Sequence, residues 1–385
     1  MKWFGWILVV LIAASPAWAA RKVTVQQLKD MLTADQQAKK ADAEVAADLK
    51  QVELTEQLSR PTMNALAEFL PGPYSTEQIY VLEARSGLLP PPAADLPTTP
   101  APDAATQKAI LDKATDYATK IYAQLPTVTA TKTIVRFQEI SSASIAGSNA
   151  DPEPINTAQT IHYINTSEAS VNIHNGIEDN PLAKDKTRWG QNGYIALLGQ
   201  SPVVSTVLEE ANSAGKIGWL RWEPVNGKTT AVFTYSVDKK KSHYAVNYCC
   251  FPKIDSVGMT HASSAAPGSF GSSGGGGKGT FRTDADFEPY KATVPYHGEI
   301  FVDPDTGIVV CLITQADFKN TDDVHVENQR IEYAPVVVGG KTLVLPSRSI
   351  VNTEAIPNGD SGVGQIILRH TLFTSEYKGY EPATN

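Results

Sequence analysis

Alternating apolar and polar residues in the second part of the chain predict β-strands. The clearest case is a pair of β-branched runs, residues 297–302 and 308–314, on either side of the segment DPDTG at 303–307. Proline, aspartate and glycine there supply turn geometry, so the pattern predicts a β-hairpin. Further strands are predicted at residues 131–139, 159–164, 169–174, 217–223, 229–237, 243–251, 324–333, 341–351 and 365–373.

The connections between these runs predict how the strands pair. Asn226-Gly227 and Gly339-Gly340 are typical two-residue hairpin turns. Most connections are too short for a helical crossover, so we expect a largely antiparallel sheet. One amphipathic helix interrupts the strands between Ser201-Pro202 and Gly215, and its apolar face can cover the sheet.

A helical period of three to four residues dominates the first part of the chain. Ser59 with Pro61 predicts the start of a third helix, and a capping box formed by Ser75 and Gln78 predicts the start of a fourth. The apolar positions of the four helices are Val25, Leu28 and Leu32, then Val45, Leu49 and Val52, then Met63, Leu66 and Leu70, then Ile79 and Leu82.

These patterns predict an α+β protein, with an N-terminal bundle of short helices joined by a Pro-rich linker to a large curved antiparallel β-sheet. The sheet is expected to resemble a half-barrel with a covering helix. The expected segments are a signal peptide at 1–19, a helical region at 20–89, the linker at 90–102, a long helix at 103–128 capped by Asp103, and the β domain at 129–385. A flexible Gly/Ser loop is expected at 263–279.

The N-terminus predicts export. A short apolar run, residues 3–14, is followed by Ala17-Trp18-Ala19, which is typical of a signal-peptide cleavage site, and the alternative is an uncleaved anchor. No later run is long enough to span a membrane, so we expect a periplasmic or secreted protein without a transmembrane segment after cleavage. The net charge of −8 speaks against nucleic acid as a partner.

Three cysteines leave two interpretations open. In an oxidising compartment Cys311 could form a disulfide with Cys249 or Cys250, and the alternative is three reduced, buried side chains. No Cys-x-x-Cys or His-Glu-x-x-His spacing is present, so no metal site, cofactor or catalytic residue is predicted.

Two sets of side chains are candidates for function. His297 and Glu299 would share one strand face and, with Asp303 and His243, are the residues that a hydrolase would use. An aromatic cluster either fills the core or lines an apolar pocket, and we select six of its members as candidate ligand-binding residues. They are Trp189, Trp219, Trp222, Phe233, Tyr235 and Tyr244.

Segments at 219–237, 242–250, 296–307 and 331–346 resemble an uncharacterised family of exported bacterial proteins, a resemblance that implies no established activity. The patterns G-x-I-x-V-D-P-x-T-G and Y-x-P-V-V-V-G-G-K, with hairpins and a covering helix, are similar to the periplasmic lipoprotein-carrier superfamily. That resemblance implies a half-barrel whose apolar concave face holds acyl chains under helices. No ligand-contacting residue is carried over from it.

The leading hypothesis is therefore a non-enzymatic exported protein that binds a lipid, a lipidated protein or another apolar ligand. The second is a structural or interaction protein of the cell envelope, which binds a protein partner through its N-terminal helices. The third is a hydrolase.

Overall fold

The computed structural model describes residues 21–121, 124–141, 158–174, 177–179, 203–214, 216–225, 227–252, 287–320, 322, 324–355 and 369–383. The predicted signal peptide, Trp189 and the Gly/Ser loop lie outside these residues. The chain is α+β, with short N-terminal helices and a large open antiparallel sheet, as the pattern of residues predicts.

The helical region contains four short helices and one pair of short strands. Its elements are β1 (Arg21–Val23), α1 (Val25–Gln37), α2 (Asp42–Lys50), β2 (Val52–Leu54), α3 (Arg60–Leu66) and α4 (Pro73–Ser86), with a 3₁₀ turn at Ala67–Phe69. The apolar faces of all four helices pack into one core that includes Leu28, Leu49, Met63 and Leu82. Val52, expected in the second helix, lies instead in β2, which pairs in parallel with β1.

Helix α4 is capped by a residue from another helix. The Asp42 carboxylate accepts hydrogen bonds from the backbone N–H groups of Tyr74 and Ser75, each at 2.9 Å, and from the Ser75 hydroxyl at 2.6 Å. Although partial desolvation opposes the effect, these hydrogen bonds hold the pKa of Asp42 below its usual value. The expected capping box at Ser75 is therefore wrong: α4 begins at Pro73, and Ser75 already lies in its first turn.

Ten of the described strands form the large sheet. They are β3 (Val128–Ser141), β4 (Ala158–His174), β5 (Ile177–Glu178), β6 (Ile217–Val225), β7 (Lys228–Val237), β10 (Tyr296–Val302), β11 (Val309–Ala316), β12 (Val324–Val338), β13 (Lys341–Ala355) and β14 (Arg369–Pro382). Their order in the sheet is β5, β4, β3, β14, β13, β12, β11, β10, β7, β6, and the two edge strands, β5 and β6, do not pair with each other.

Two predictions about the strands need correction. The runs at 159–164 and 169–174 form one continuous strand, β4. The run at 243–251 corresponds to β8 (Ala245–Pro252), which lies outside the large sheet and, among the described strands, pairs with β9 (Phe287–Thr293) alone. Consequently β10 pairs with β7 on one side and with β11 on the other. The predicted hairpin at 297–314 is confirmed as β10 and β11.

Two helices cover one face of the sheet, which we call the inner face. They are α5 (Ala104–Ile121), capped by Asp103 as expected, and α6 (Val204–Ala214), the predicted covering helix. Ile110 and Ala114 of α5 pack with Val207 of α6 in a core that reaches strands at both ends of the sheet, including Val171 of β4 and Phe233 of β7.

The helical region lies against the opposite face, which we call the outer face. Val81 and Ala84 of α4 pack on Phe137, Ile350 and neighbouring strand residues. Just after α4, the Gly87 carbonyl accepts a hydrogen bond from the buried Arg330 guanidinium at 3.3 Å. Glu83 forms a buried ion pair with Arg348. The sheet is therefore the middle of three layers.

The Pro-rich segment passes around the β6 edge and joins the two outer layers. Leu88, two residues before it, packs with Val225 and Phe301 on the outer face. Further along, the Pro100 carbonyl accepts a hydrogen bond from the Trp222 indole N–H at 3.0 Å. The chain then enters α5 on the inner face, so this segment is held against the sheet edge.

Candidate ligand groove on the inner face

A bulge in β6 places two tryptophans on the same face of the sheet. In a regular strand Trp219 and Trp222 would point to opposite sides, but the register shifts between Trp219 and Arg221. Trp219 therefore pairs with Phe233, and Trp222 with Ala231, both of which belong to the inner core. Arg221 takes the outer face instead and forms ion pairs with Glu223 and Glu299.

The rings of this group pack edge to face. The centroids of Trp219 and Trp222 are 4.8 Å apart, with an interplanar angle of 72°. Those of Trp219 and Phe233 are 5.5 Å apart, at 87°. This geometry is favourable for aromatic pairs and fixes the orientation of the Trp219 ring, since neighbours hold two of its edges.

Next to Trp219, a cavity of about 510 Å³ opens between α5, α6, the first residues of β6 and Phe233 in the second half of β7. We call it the inner groove. Its apolar lining comes from Leu111, Ile217, Trp219 and Phe233, of which Phe233 is fully buried. Two of the six candidate residues thus line a cavity. The sequence did not identify Leu111 and Ile217 as lining residues, because no local pattern shows which turn of α5 lies over β6.

The rim of the inner groove is polar and its charges are paired. Lys108 and Asp112 form an ion pair at 2.6 Å on α5, and Asp116 pairs with Lys120 at 2.8 Å. Thr115 accepts a hydrogen bond from the Asn212 amide of α6 at 3.2 Å. The groove therefore combines an apolar wall with a hydrophilic rim of balanced charge.

Tyr235 and Tyr244 lie deeper in the core and do not line the inner groove. Both rings pack edge to face against Tyr296, with centroid distances of 5.9 and 5.7 Å. The Tyr235 hydroxyl donates to the Ile313 carbonyl at 2.7 Å, and the Tyr296 hydroxyl donates to Glu210 Oε2 at 2.6 Å. Each hydroxyl thus has an acceptor, as buried polar groups require.

The Tyr244 hydroxyl donates to Glu327 Oε1 on β12 at 2.8 Å. Burial raises the pKa of Glu327 to about 8, and burial beside that carboxyl raises the pKa of Tyr244 well above its ordinary value. Near neutral pH Glu327 is therefore mainly protonated. This cluster is a polar part of the core under α6, and no local sequence pattern connects its members.

The four residues of the hydrolase hypothesis bind different partners. His297 contacts Asp317 at 2.8 Å, and Glu299 pairs with Arg221. Asp303 Oδ1 accepts the backbone N–H groups of residues 305 and 306 in the hairpin turn. His243 contacts Glu210 at 2.6 Å on the inner side. None of the described contacts joins two of these four side chains.

Cys311 is buried on β11 and forms no disulfide with a described residue, and burial raises the pKa of its thiol to about 12. A disulfide with Cys249 or Cys250 stays a prediction, because those side chains lie outside the described ones.

Within the described ranges no three His, Cys, Asp or Glu side chains converge as metal ligands would. The helices of the described part are each too short or too polar to cross a membrane.

No protein-family model, curated protein or solved structure matches this chain. The resemblances to an exported bacterial family and to the lipoprotein carriers therefore stay predictions.

Proposed function

We propose that this is a binding protein that holds a lipid or another apolar ligand in the inner groove. The observation that supports the proposal is the apolar wall of Leu111, Ile217, Trp219 and Phe233 beside a cavity of about 510 Å³. Small-molecule sites usually have volumes of roughly 300–1,000 Å³ and are lined mainly by apolar and aromatic side chains. The size of the groove and its apolar wall fit that description, and the polar rim supplies the other half of the lining.

The energetics favour an acyl chain over a compact polar ligand. Each buried methylene contributes about 0.8 kcal/mol, so about eight methylenes against Trp219 and its neighbours would contribute on the order of 6 kcal/mol. Part of this is lost to ordering of the chain. A dissociation constant of roughly tens to hundreds of micromolar is the expected result.

The rim favours an amphipathic ligand of low net charge. Because Lys108 and Asp116 already have partners of opposite charge, the rim offers no strong site for a multiply charged head group. Polar atoms of Gln107 and Asn212 also line the opening and can hydrogen-bond a head group that stays at the surface. An exported location, motivated by residues 1–19, is part of this proposal.

A binding titration tests the proposal. The full chain, freed of lipid, is titrated with 11-(dansylamino)undecanoic acid, and saturable binding with an increase in dansyl fluorescence is expected. Ile217→Asp should weaken binding at least about tenfold, because it places a charge in the apolar wall. Leu220→Asp is the matched control on the same strand, since Leu220 is exposed and does not line the groove. Absence of saturable binding, or equal effects of the two substitutions, would contradict the proposal.

The envelope-interaction hypothesis has less support. Binding of a protein partner through the N-terminal helices requires exposed apolar side chains on these helices. Residues such as Leu28, Leu32 and Leu49 are instead buried in the core that the helices share. The hydrolase hypothesis needed convergence of His243, His297, Glu299 and Asp303, and their described contacts lead to different partners.

A further inference from the structure

A second cavity, of about 490 Å³, lies on the outer face of the sheet, where α4 meets β3, β4 and β14. We call it the outer pocket. Boundaries between packed units are common places for ligand sites because two surfaces contribute groups to one cavity. The lining and chemistry of the outer pocket differ from those of the inner groove.

Two exposed aromatic rings line the outer pocket. Tyr80 of α4 and Tyr163 of β4 are each 41% exposed, although most large apolar side chains of the described residues are buried. Tyr163 packs edge to face on the buried Phe137, with centroids 6.3 Å apart, and its hydroxyl lies 3.1 Å from Thr166 Oγ1. These contacts fix the Tyr163 ring while leaving part of it accessible to a ligand.

Arg60, Glu83 and Glu376, three of the four charged residues that line the outer pocket, take part in ion pairs. Arg60 lies 3.3 Å from Glu376 and 3.9 Å from Glu83. Glu376 also pairs with Lys378 at 2.9 Å, and Glu83 pairs with Arg348. Each of these two carboxylates already contacts two basic groups. The carboxylates would therefore repel a strongly anionic ligand, and the arginines would repel a strongly cationic one. The electrostatics therefore favour an uncharged ligand.

The hydrogen-bonding groups of the outer pocket suit ligand hydroxyls. Glu77 Oε1 accepts a long hydrogen bond of 3.4 Å from the Tyr163 backbone N–H, and among the described residues Glu77 has no basic partner. An ionised carboxylate accepts through both oxygens, so Glu77 has capacity for O–H donors. Four threonines, Thr76, Thr133, Thr166 and Thr374, also line the cavity.

We propose that the outer pocket binds a neutral saccharide, with a sugar ring against Tyr80 and Tyr163 and its hydroxyls donating to Glu77. A sugar presents both a C–H face, which packs on aromatic rings, and many hydroxyls, which need acceptors. A sugar therefore suits the exposed tyrosines, the Glu77 carboxylate, which can accept further hydrogen bonds, and the paired charges of Arg60, Glu83 and Glu376. A lipid chain or a phosphate suits this set of groups less well.

Calorimetric titration of the full chain tests this inference. The probes are N,N′-diacetylchitobiose, cellobiose and maltose as neutral disaccharides, with choline and inorganic phosphate as charged competitors for the same pocket. Saturable binding of at least one disaccharide is expected, with Tyr163→Ala and Tyr80→Ala each weakening it about tenfold. Glu77→Gln should also weaken it, since the amide is a poorer acceptor.

The matched control is Tyr74→Ala. Tyr74 is 64% exposed on the same helix as Tyr80 but does not line the outer pocket, so this variant should bind like the parent chain. Trp219→Ala should also leave sugar binding unchanged, which separates this inference from the function proposed for the inner groove. Thermal unfolding of each variant confirms that it is folded. No binding of any of the three disaccharides, binding of choline or phosphate instead, or unchanged binding in Tyr80→Ala and Tyr163→Ala would overturn the inference.

Discussion

The Tyr244 hydroxyl donates a hydrogen bond to Glu327 at 2.8 Å, and both side chains are almost completely buried. Glu327 Oε2 and the hydroxyl of Thr353, the residue directly opposite on β13, have no hydrogen-bond partner among the described residues. A carboxyl in this environment is stable only when it is neutral.

Glu327 should therefore make the stability of the protein depend on pH. Its pKa is about 8 in the folded chain against 4.5 for an exposed glutamate, so the folded state binds the proton more tightly than the unfolded state. The contribution is favourable at low pH and is lost as the pH rises from about 4.5 to 8. Glu327→Gln should flatten this dependence and raise the free energy of unfolding at pH 9 relative to the parent chain, by up to about 5 kcal/mol.

Guanidinium unfolding at pH 5, 7 and 9 measures this effect. Glu209→Gln, an exposed position on α6, is the control and should follow the parent chain at every pH. If Glu327→Gln and the parent chain show the same change between pH 5 and pH 9, the carboxyl does not titrate as its burial implies.

Gly298 on β10 allows a close approach between strands. A Cβ at this position would lie 1.9 Å from the Ile313 carbonyl oxygen and 2.8 Å from the Tyr235 hydroxyl. Gly298→Ala should therefore destabilise the fold by about 3 kcal/mol or more, because the backbone atom in its way cannot rotate aside. Gly218→Ala on β6 is the matched control, as no described atom lies within 4 Å of its Cβ, and it should change stability by less than about 0.5 kcal/mol. Equal denaturation midpoints for the two variants would refute this explanation.

The buried Arg330 should stabilise the contact between the sheet and the helical region. Its guanidinium donates to Glu332 at 3.0 Å and to the Gly87 carbonyl at 3.3 Å. Arg330→Met leaves a carboxylate and a carbonyl without their donor, so a loss of about 3 kcal/mol in the free energy of unfolding is expected. Lys108→Met removes an exposed partner from an ion pair and should cost less than about 1 kcal/mol. Similar costs for the two substitutions in denaturant titrations would count against a structural role for Arg330.

Trp219 and Trp222 offer a direct comparison within the aromatic group. Only Trp219 lines the inner groove, whereas Trp222 holds the Pro-rich segment through Pro100. Trp219→Ala should weaken binding of the dansyl fatty acid about tenfold or more, and Trp222→Ala should change it less than about threefold. Equal losses in fluorescence titrations would indicate that the effect comes from disturbing the sheet edge and not from the groove.

Local chemistry made the strand pairs predictable from the sequence. Asp303, Pro304 and Gly307 form a turn by their own backbone preferences, and the flanking strands follow from it. Non-local contacts overrode equally good local patterns elsewhere. Val52 continued a helical stripe but pairs with β1, and Ser75 fitted a capping box although Asp42 of another helix caps α4.

The candidate site was predictable only in part for the same reason. Clustering of aromatic residues in the sequence identified Trp219 and Phe233, but it could not separate them from Tyr235 and Tyr244, which lie in the core. That separation depends on the bulge before Arg221 and on the position of α5 over β6. Both are set by packing in three dimensions, so neither leaves a periodic signal in the sequence.

Photocrosslinking with a diazirine fatty acid tests most directly whether the inner groove holds an apolar ligand. The folded full chain is labelled at low probe concentration, digested and mapped by mass spectrometry. Labels on peptides from α5 and from the start of β6, including Leu111 or Ile217, and competed away by excess palmitate, are the predicted result. Labels that are scattered, that resist competition or that map only to the helical region before Pro90 would contradict it.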